Sequence, residues 1–219
     1  TWFGVMFKKK PIFITFEGVE GSGKSYQIGK LFNKLKKMGF SVMKTREPGG
    51  TRNAERIRDI ILNDYFHKGS SELFDKYTDT LLYLAARNEH VIKVIRPALK
   101  KKKIVICDRF TDSTLAYQVY GKNIDKNLIK VIHKKILKNI KPDLTFVLKL
   151  NIEKALKRIK ARGSRNRYDK FSKQYYKKVQ NAFINISKKN IKRYKVLNTS
   201  EDTNKVEKLI YEKVIKLLK

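Results

Sequence analysis

The segment from Phe13 to Ser25 has the residue types and spacing that point most directly to chemistry. A short apolar run leads into a turn that reads Gly18-x-x-x-x-Gly23-Lys24-Ser25. In loops of this pattern the backbone N–H groups surround a nucleotide's phosphates, the lysine reaches the β- and γ-phosphates, and the hydroxyl ligates Mg²⁺. A plain glycine turn with a surface lysine is the alternative. The residues predicted to bind the phosphates of ATP are Gly18, Val19, Glu20, Gly21, Ser22, Gly23, Lys24 and Ser25.

An Asp-Arg pair follows a second apolar run, residues 103–107. A carboxylate at the end of a strand beside a phosphate loop commonly holds Mg²⁺, so Asp108 is predicted to join Ser25 as a metal ligand. Arg109 either forms an ion pair with Asp108 or grips a second phosphate through a bidentate contact. Lys24, Asp108 and Arg109 are therefore predicted to be catalytic.

A third stretch, residues 79–91, has helical spacing and carries Thr80, Tyr83 and Arg87 on one stripe. An arginine on a core-facing stripe indicates a bound anion, whereas an arginine at the rim of a solvated face is the ordinary alternative. The other stripe of this helix is expected to pack in the core through Tyr77, Leu81, Leu84 and Ala85.

A turn with the sequence TREPGGT, residues 45–51, closes the second predicted strand. Arg46 and Glu47 stand at the strand end, where ligands of α/β sheets bind, and Thr51 is a predicted N-cap for the next helix. The glycines are also compatible with a turn that has no ligand.

Residues 157–167, KRIKARGSRNR, are crowded with arginine. Arg158 and Arg162 stand one helical turn apart, and Arg165 and Arg167 follow in a polar stretch. A mobile loop of this kind closes over a γ-phosphate and neutralises charge in the transition state, so Arg158 and Arg162 are candidate catalytic residues. An ordinary basic surface is the alternative.

Short apolar runs alternate with helical segments along the chain, which predicts a parallel sheet covered by helices. Gly39, Pro97, Gly121, Pro142 and Gly163 are expected to end helices or open turns. The predicted strands lie near 12–17, 41–45, 103–107, 143–149 and 194–198. The predicted helices span about 23–37, 52–63, 71–96, 113–120, 126–139, 152–162, 171–188 and 202–218.

The composition of the 219 residues is that of a soluble globular chain, with 41% hydrophobic and 33% charged residues and no apolar run that could span a bilayer. The net charge of +32 permits polyanion binding, but the lysines are scattered between apolar positions, which indicates solvated helix faces. A single cysteine, Cys107, excludes a disulfide framework, and the first apolar segment is too short for a secretory signal. We therefore expect a cytoplasmic protein that binds neither membrane nor nucleic acid.

Two anion sites, a metal site and an arginine-rich lid together predict a kinase whose acceptor is itself a phosphate. Such an acceptor needs no general base, because a phosphomonoester with a second pKa of about 6 is mostly a dianion at pH 7. No role is assigned to His67, His90 or His133.

With these stretches in view, the chain resembles the thymidylate kinase family of P-loop enzymes, which phosphorylate dTMP with ATP. The resemblance covers residues 12–218, and its motifs FEGVEGSGKS, TREPGGT, YLAARNEH and CDRFTDSTLAYQ occur in the family's order. It implies a three-layer α/β P-loop nucleoside-monophosphate kinase fold with a five-stranded parallel sheet. It also implies one domain, residues 1–219, with a lid at about 158–170, the substrates ATP and dTMP, Mg²⁺, and a homodimer.

The resemblance also implies roles for individual residues at the dTMP site. Tyr83 would stack on thymine, Arg87 would donate to the base at O4, which replaces the anion role, and Arg109 would hold the phosphate. Ser113 and Thr114 would line the base, and Tyr117 would lie beside the sugar C2′. Glu20, Glu47 and Gln118 complete the residues expected around dTMP.

Glycine at position 21 and arginines in the lid are features of the bacterial type of the family, which takes its catalytic arginine from the lid. The chain departs from the family pattern in the lid, where Asn166 replaces an aspartate and Asp169 replaces a glutamate, so one carboxylate is lost and the other is shortened. Phe110 replaces a frequent tyrosine, and Tyr83 replaces a phenylalanine and adds a hydroxyl that needs a partner.

Two other functions remain as alternatives. A deoxynucleoside kinase shares the phosphate loop, but it needs a carboxylate base and usually has Glu-Arg-Ser after the strand. A nucleotide-gated nucleic-acid binder fits the net charge, but it requires a clustered basic face with interleaved aromatic residues.

Overall fold

The computed structural model describes residues 10–63, 73–161, 167–200 and 202–219. Five strands form one sheet: β1 Ile12–Glu17, β2 Val42–Arg46, β3 Ile104–Asp108, β4 Leu144–Lys149 and β5 Tyr194–Asn198. All neighbouring strands are parallel, in the order β2-β3-β1-β4-β5. The predicted fold class is confirmed, and each predicted strand lies within one residue of the observed one.

The helices follow the predicted pattern with two exceptions. Those that match are α1 Lys24–Lys37, α2 Arg52–Asn63, α6 Lys126–Leu137, α7 Ile152–Lys160, α8 Lys173–Lys188 and α9 Thr203–Leu218. Thr51 accepts from the N–H of Ala54 as predicted. The side chains of Asp75, Asp125, Asn151, Ser172 and Asp202 also accept backbone N–H groups at helix starts.

The helix predicted over 71–96 is the first exception. It consists of α3 Lys76–His90, a π-helical turn Val91–Ile95 and α4 Arg96–Lys100, and residues 71 and 72 lie outside the described part. Pro97 was therefore wrongly expected to end the helix. The wider π turn ends just before Pro97, which stands in the first turn of α4, where a missing N–H costs no helical hydrogen bond.

The second exception is the helix predicted over 113–120. This segment is α5 Thr111–Thr114 followed by a π-helical turn Leu115–Gly121. Single π turns inside helices are frequent at functional sites.

Successive side chains of a strand point to opposite faces of the sheet, and in this sheet helices cover both faces. Ile12, Ile14 and Phe16 of β1 pack on one side against α1 and α9. Phe13 packs on the other side against the helical segment that contains Val91 and Ile95. The central strand is therefore buried, and its carboxyl end is the place where loops can meet a ligand.

The expected core stripe of α3 is wrong at three of its four positions. Leu84 is buried, but Tyr77 is 41% and Leu81 52% exposed, and Ala85 is also exposed. The buried face of α3 instead contains polar residues that bind other elements, namely Asp79, Arg87 and His90. No helix within the described ranges is long and apolar enough to cross a membrane.

Candidate active site

The phosphate loop joins β1 to α1 in the conformation its sequence predicts. Gly18 has φ of 137°, and a Cβ there would lie 2.4 Å from the carbonyl oxygen of Leu148 on β4. Gly21 has φ of 73°, and a Cβ there would lie 2.7 Å from the carbonyl oxygen of Ala155. The loop is thus packed tightly against β4 and α7, which leaves no room for side chains at these positions.

Lys24 is buried at the start of α1, and its Nζ donates to the carbonyl oxygens of Gly18 and Val19, each at 3.0 Å. Burial, and next the charge of Arg109, lower the pKa of Lys24 to about 8. A phosphate placed beside this ammonium would supply a negative charge and raise that pKa again.

Asp108 and Ser25 meet beside the loop, where the hydroxyl of Ser25 donates to Oδ2 of Asp108 over 3.2 Å. The other carboxylate oxygen, Oδ1, is buried and has no hydrogen-bond partner in the described part of the chain. A hydroxyl and a carboxylate beside a phosphate loop are the oxygen donors that Mg²⁺ takes together with substrate phosphates. The residues present therefore fit the metal predicted here.

Arg109 extends from a strained turn at the end of β3, with φ of 69°. The buried carboxylate of Glu17 stabilises this turn, because it accepts the N–H of Phe110 at 2.8 Å and the hydroxyl of Ser113 at 2.6 Å. The ion pair of Arg109 is with Glu20, at 2.5 Å, rather than with the neighbouring Asp108. The sequence left open whether Arg109 pairs with Asp108 or holds a phosphate, and the structure does not show the pair with Asp108.

The charge of a second buried acid, Asp112, also acts on Glu17. Burial, and next the charge of Asp112, raise the pKa of Glu17 to about 8. Asp112 itself is held by Arg193 at 2.6 Å and by the hydroxyl of Tyr194 at 2.9 Å. Glu17 therefore remains largely protonated near neutral pH, and this limits the repulsion between the two acids.

Arg87 is buried at the C-terminal part of α3 and is bound by four acceptors. Its Nε donates to Glu47 at 2.7 Å, and one terminal nitrogen, Nη1, donates to Thr114 at 2.6 Å. Nη1 also lies 2.9 Å from Nε2 of His133, and Nη2 donates to the carbonyl oxygen of Phe110 at 2.9 Å. The guanidinium is thus fixed in one orientation at the wall of a cleft.

Glu47 is the partner that ties this arginine to β2. Its second oxygen lies 3.0 Å from Nδ1 of His90, whose Nε2 lies 2.6 Å from the hydroxyl of Thr45. Burial alone would raise the pKa of Glu47, but Arg87 and His90 outweigh it and keep that pKa below its ordinary value. A Cβ on Gly50 would lie 2.5 Å from the ring of His90, so the glycine turn packs directly on this histidine.

One cleft brings together eight of the nine residues predicted to surround dTMP: Glu47, Tyr83, Arg87, Arg109, Ser113, Thr114, Tyr117 and Gln118. The ninth, Glu20, joins it through Arg109 and through Tyr117, whose hydroxyl donates to Glu20 at 2.6 Å. Thr80 does not line it, because its hydroxyl bonds within the helix to Lys76.

Tyr168 forms the remaining wall of this cleft, and its hydroxyl lies 2.6 Å from that of Tyr83. The space enclosed between the side chains is about 20 Å³. That volume holds about one water molecule, so a larger ligand can enter only if a wall moves. Tyr168 belongs to the short 3₁₀ helix Arg167–Lys170, at the end of the predicted lid.

A second cleft, of about 560 Å³, opens on the other side of the phosphate loop. Arg158 lies there on α7, and its guanidinium donates to the carbonyl oxygen of Gly21 at 3.0 Å. Arg162, the other candidate, lies outside the described residues, as do Arg165 and Asn166, and the side chain of Asp169 is not described. Thr199, Thr203 and Val206 also line this cleft and were missed, because isolated residues after β5 and in the first turn of α9 give no distinctive pattern.

Arg167 does not face the phosphate loop, contrary to its expected place among lid arginines. It is buried and forms an ion pair with Asp79 of α3, and it donates to the carbonyl oxygen of Ile61 on α2. Lys122 also bonds Asp79, at 2.7 Å. The end of the predicted lid is therefore anchored to α2 and α3.

Between the two clefts lies a polar passage lined by Lys24, Asp108, Arg109, Tyr168 and Arg58 of α2. Arg58 was missed by sequence reasoning, as were the contacts of His90 and His133. The spacing of Arg58 on an amphipathic helix directly after TREPGGT was the signal that could have found it. No motif predicts a ligand contact for either histidine. The packing of α3 and α6 brings them to Glu47 and Arg87.

A nucleotide loop and a second cationic cleft at adjacent strand ends, with a passage between them, define a P-loop kinase that phosphorylates a second phosphate-bearing ligand. Comparison with known sequences gives the family. Residues 16–210 match the model of the thymidylate kinase family. The chain belongs to this family, as its motifs predict.

Individual relatives agree over nearly the whole chain. The thymidylate kinase of Pelotomaculum thermopropionicum is 42% identical over 205 residues, which are 93% of this chain and 91% of that protein. That of Mycoplasma capricolum is 41% identical over 209 residues, 94% of each chain. The crystal structure of thymidylate kinase from Ehrlichia chaffeensis superposes with a TM-score of 0.73 at 34% identity, covering 96% of this chain and all of that one.

Proposed function

We propose that the two clefts carry out transfer of the γ-phosphate of ATP to the phosphate of dTMP, giving ADP and dTDP. The observation that carries this proposal is the polar passage itself. Lys24 on the donor side and Arg109 on the acceptor side line one space, together with Asp108. An acceptor phosphate held by Arg109 and a γ-phosphate held by Lys24 would therefore lie in the same space.

The donor site is the phosphate loop, residues 18–25. Its backbone N–H groups and the start of α1 would bind the β- and γ-phosphates, and Lys24 would exchange its two carbonyl partners for phosphate oxygens. Arg158 already contacts the loop at Gly21 and is placed to neutralise charge on the transferred group, with Arg162 as a second candidate from the lid.

The acceptor site is the first cleft, lined by Tyr83, Arg87 and Arg109, which we call the dTMP cleft. Arg109 would release Glu20 in part and take the dTMP phosphate, with Arg58 as a further cation across the passage. The base would lie between Tyr83 and the wall formed by Ser113 and Thr114, with Gln118 beside it. The buried hydroxyl of Tyr117 would face the sugar and exclude a 2′-hydroxyl.

Mg²⁺ would be held by Ser25 and Asp108, and when bound it supplies positive charge to the phosphates of ATP. In the transfer, an oxygen of the dTMP phosphate forms a bond to the γ-phosphorus while the bond from that phosphorus to the bridging β-oxygen breaks. The acceptor dianion needs no proton removed. This chain's residues therefore act by positioning and by electrostatic stabilisation.

The hydrogen bonds of the carboxylates in the dTMP cleft argue against a deoxynucleoside kinase. Such an enzyme needs a free carboxylate base near the acceptor hydroxyl, but Glu47 is committed to Arg87 and His90. Glu20 is committed to Arg109 and Tyr117. We assign no base to either residue.

We also propose that the chain is a single domain and that it forms a homodimer in the cytoplasm. Tyr77 and Leu81 of α3 and Ile92 of the following π turn are exposed on one helical face, which is apolar enough for a subunit contact. The buried free thiol of Cys107 suits a reducing compartment.

The direct test is ADP release from Mg·ATP with dTMP, dUMP, thymidine, AMP and GMP offered separately. Turnover with dTMP well above the others is expected. Turnover with thymidine but not with dTMP would reject the phosphate acceptor, and no turnover with any of the five would reject the kinase.

A further inference from the structure

His133 lies on α6, outside the sequence motifs that supply the residues of the two clefts. Its Nε2 atom is 2.9 Å from Nη1 of Arg87, and the side chain is half-buried. Because Arg87 carries a permanent charge and only donors, a histidine at this distance acts as an acceptor, with its proton on Nδ1. Burial, and next the charge of Arg87, lower the pKa of His133 to about 3, in keeping with a neutral ring.

The hydrogen bonds of Arg87 leave little freedom to its guanidinium. Four of its five N–H groups have protein acceptors, in Glu47, Thr114, His133 and the carbonyl of Phe110. The fifth, on Nη2, has no acceptor among the described residues, and Arg87 forms part of the wall of the dTMP cleft. The arginine therefore has a single N–H to offer a ligand, and its direction depends on the other four.

We propose that His133 is a positioning residue that holds Arg87 so that its remaining N–H meets the carbonyl oxygen at position 4 of the pyrimidine. This inference rests on the proposed function. An oxygen at this position accepts the hydrogen bond, whereas the amino group of cytosine would oppose it with a second donor. Loss of the His133 acceptor would leave an unpaired N–H on Nη1, and the guanidinium could turn to satisfy it. His133 thereby sets the selectivity for a 4-oxo pyrimidine without touching the base.

The experiment compares His133→Leu, which removes the acceptor, with His133→Asn, whose amide oxygen can replace it. We measure kcat and KM separately for dTMP and dCMP, and the melting temperature of each variant. H133L should raise KM for dTMP about tenfold with kcat within about twofold, since an unpaired buried donor weakens binding to this extent. The preference for dTMP over dCMP should fall by a similar factor, and H133N should stay within about threefold of the unmodified chain.

Equal kinetic effects of H133N and H133L, or an unchanged KM and dCMP discrimination in H133L, would overturn the proposal. A role in stability alone would lower the melting temperature without changing the ratio of the two substrates. If H133L does not fold, His133→Ala provides the same comparison with H133N. Absence of dTMP turnover in the unmodified chain would reject the proposed function, whereas normal turnover with insensitive variants would reject only the role of His133.

Discussion

The hydroxyls of Tyr83 and Tyr168 lie 2.6 Å apart and join the helix of the dTMP cleft to the end of the lid. The sequence predicts that the hydroxyl of Tyr83 needs a partner, and Tyr168 provides it. Tyr168 is further held by the hydroxyl of Tyr176, which donates to its carbonyl oxygen at 2.8 Å. The bond spans a cleft whose enclosed space of about 20 Å³ is too small for a pyrimidine, and we expect the cleft to open by breaking it.

Removal of either hydroxyl should therefore make dTMP entry easier. We expect Tyr83→Phe and Tyr168→Phe each to lower KM for dTMP about three- to tenfold, because the closed form loses the hydrogen bond between the two hydroxyls. The double variant should show little further change, since both substitutions remove the same bond. Steady-state kinetics of the three variants measure this, and additive effects or a raised KM would contradict a bond that holds the cleft closed.

Substitution of Arg109 should separate acceptor binding from donor binding. Arg109→Ala is expected to lower kcat/KM for dTMP by about 10³-fold, because it removes the cation that would hold the acceptor phosphate. ATP affinity, measured by calorimetry, should stay within about threefold. Arg56→Ala, at an exposed arginine of α2, is the matched control and should be neutral. Substantial turnover in R109A would mean that the acceptor phosphate binds elsewhere.

The affinity for ATP should depend on the protonation of Lys24. The pKa of this lysine in the folded protein is about 8, below its ordinary value of 10.5, so the free enzyme loses the ammonium as the pH rises past 8. We expect the dissociation constant for ATP to rise about tenfold between pH 7 and pH 9, because the neutral amine gives no charge to the phosphates. KM for dTMP serves as the internal control, since Arg109 stays charged over this range. A flat ATP profile would mean that Lys24 keeps its proton.

Stability should fall with pH through the titration of Glu17. The folded pKa of about 8 is raised above the ordinary 4.5, so folding takes up a proton between these values, and stability is lost as the pH rises from about 5 to 8. Glu17→Gln cannot ionise and should lose this part of the pH dependence, seen as a smaller drop in melting temperature across the window. Glu153→Gln, at an exposed acid, is the control and should follow the unmodified protein. An unchanged slope in E17Q would show that Glu17 is not the group responsible.

The apolar face of α3 gives a prediction for assembly. Leu81 is 52% exposed in the centre of this face, and Leu81→Glu should convert the proposed dimer to a monomer because a buried unpaired charge is costly. Light scattering after size-exclusion chromatography would detect a halved mass. Ile191→Glu, at a residue 74% exposed between α8 and β5, should leave the mass unchanged. Dimers that persist in L81E would place the interface on another face.

Much of the fold was predictable because its signals are local. The apolar runs of β1 and β3, the glycines of the phosphate loop and the cap at Thr51 each determine their own backbone within a few residues. In the parallel sheet, β1 pairs with both β3 and β4. This pairing brings Glu17 and Asp108 to the same edge. The spacing of these motifs was therefore enough to predict that the phosphate loop and the Asp108-Arg109 pair lie at one edge of the sheet.

Local patterns predicted the phosphate loop and the strands, and the resemblance to the family predicted the residues that gather around the dTMP cleft. The partner that each charged group takes depends on tertiary packing: His133 and Glu47 for Arg87, Glu20 for Arg109, and Asp79 for Arg167. Tertiary packing also decided that Tyr77 and Leu81 face outward. The physical reason is that propensity and glycine geometry act between near neighbours, whereas burial and ion pairing depend on residues that are distant in sequence and meet only when helices pack.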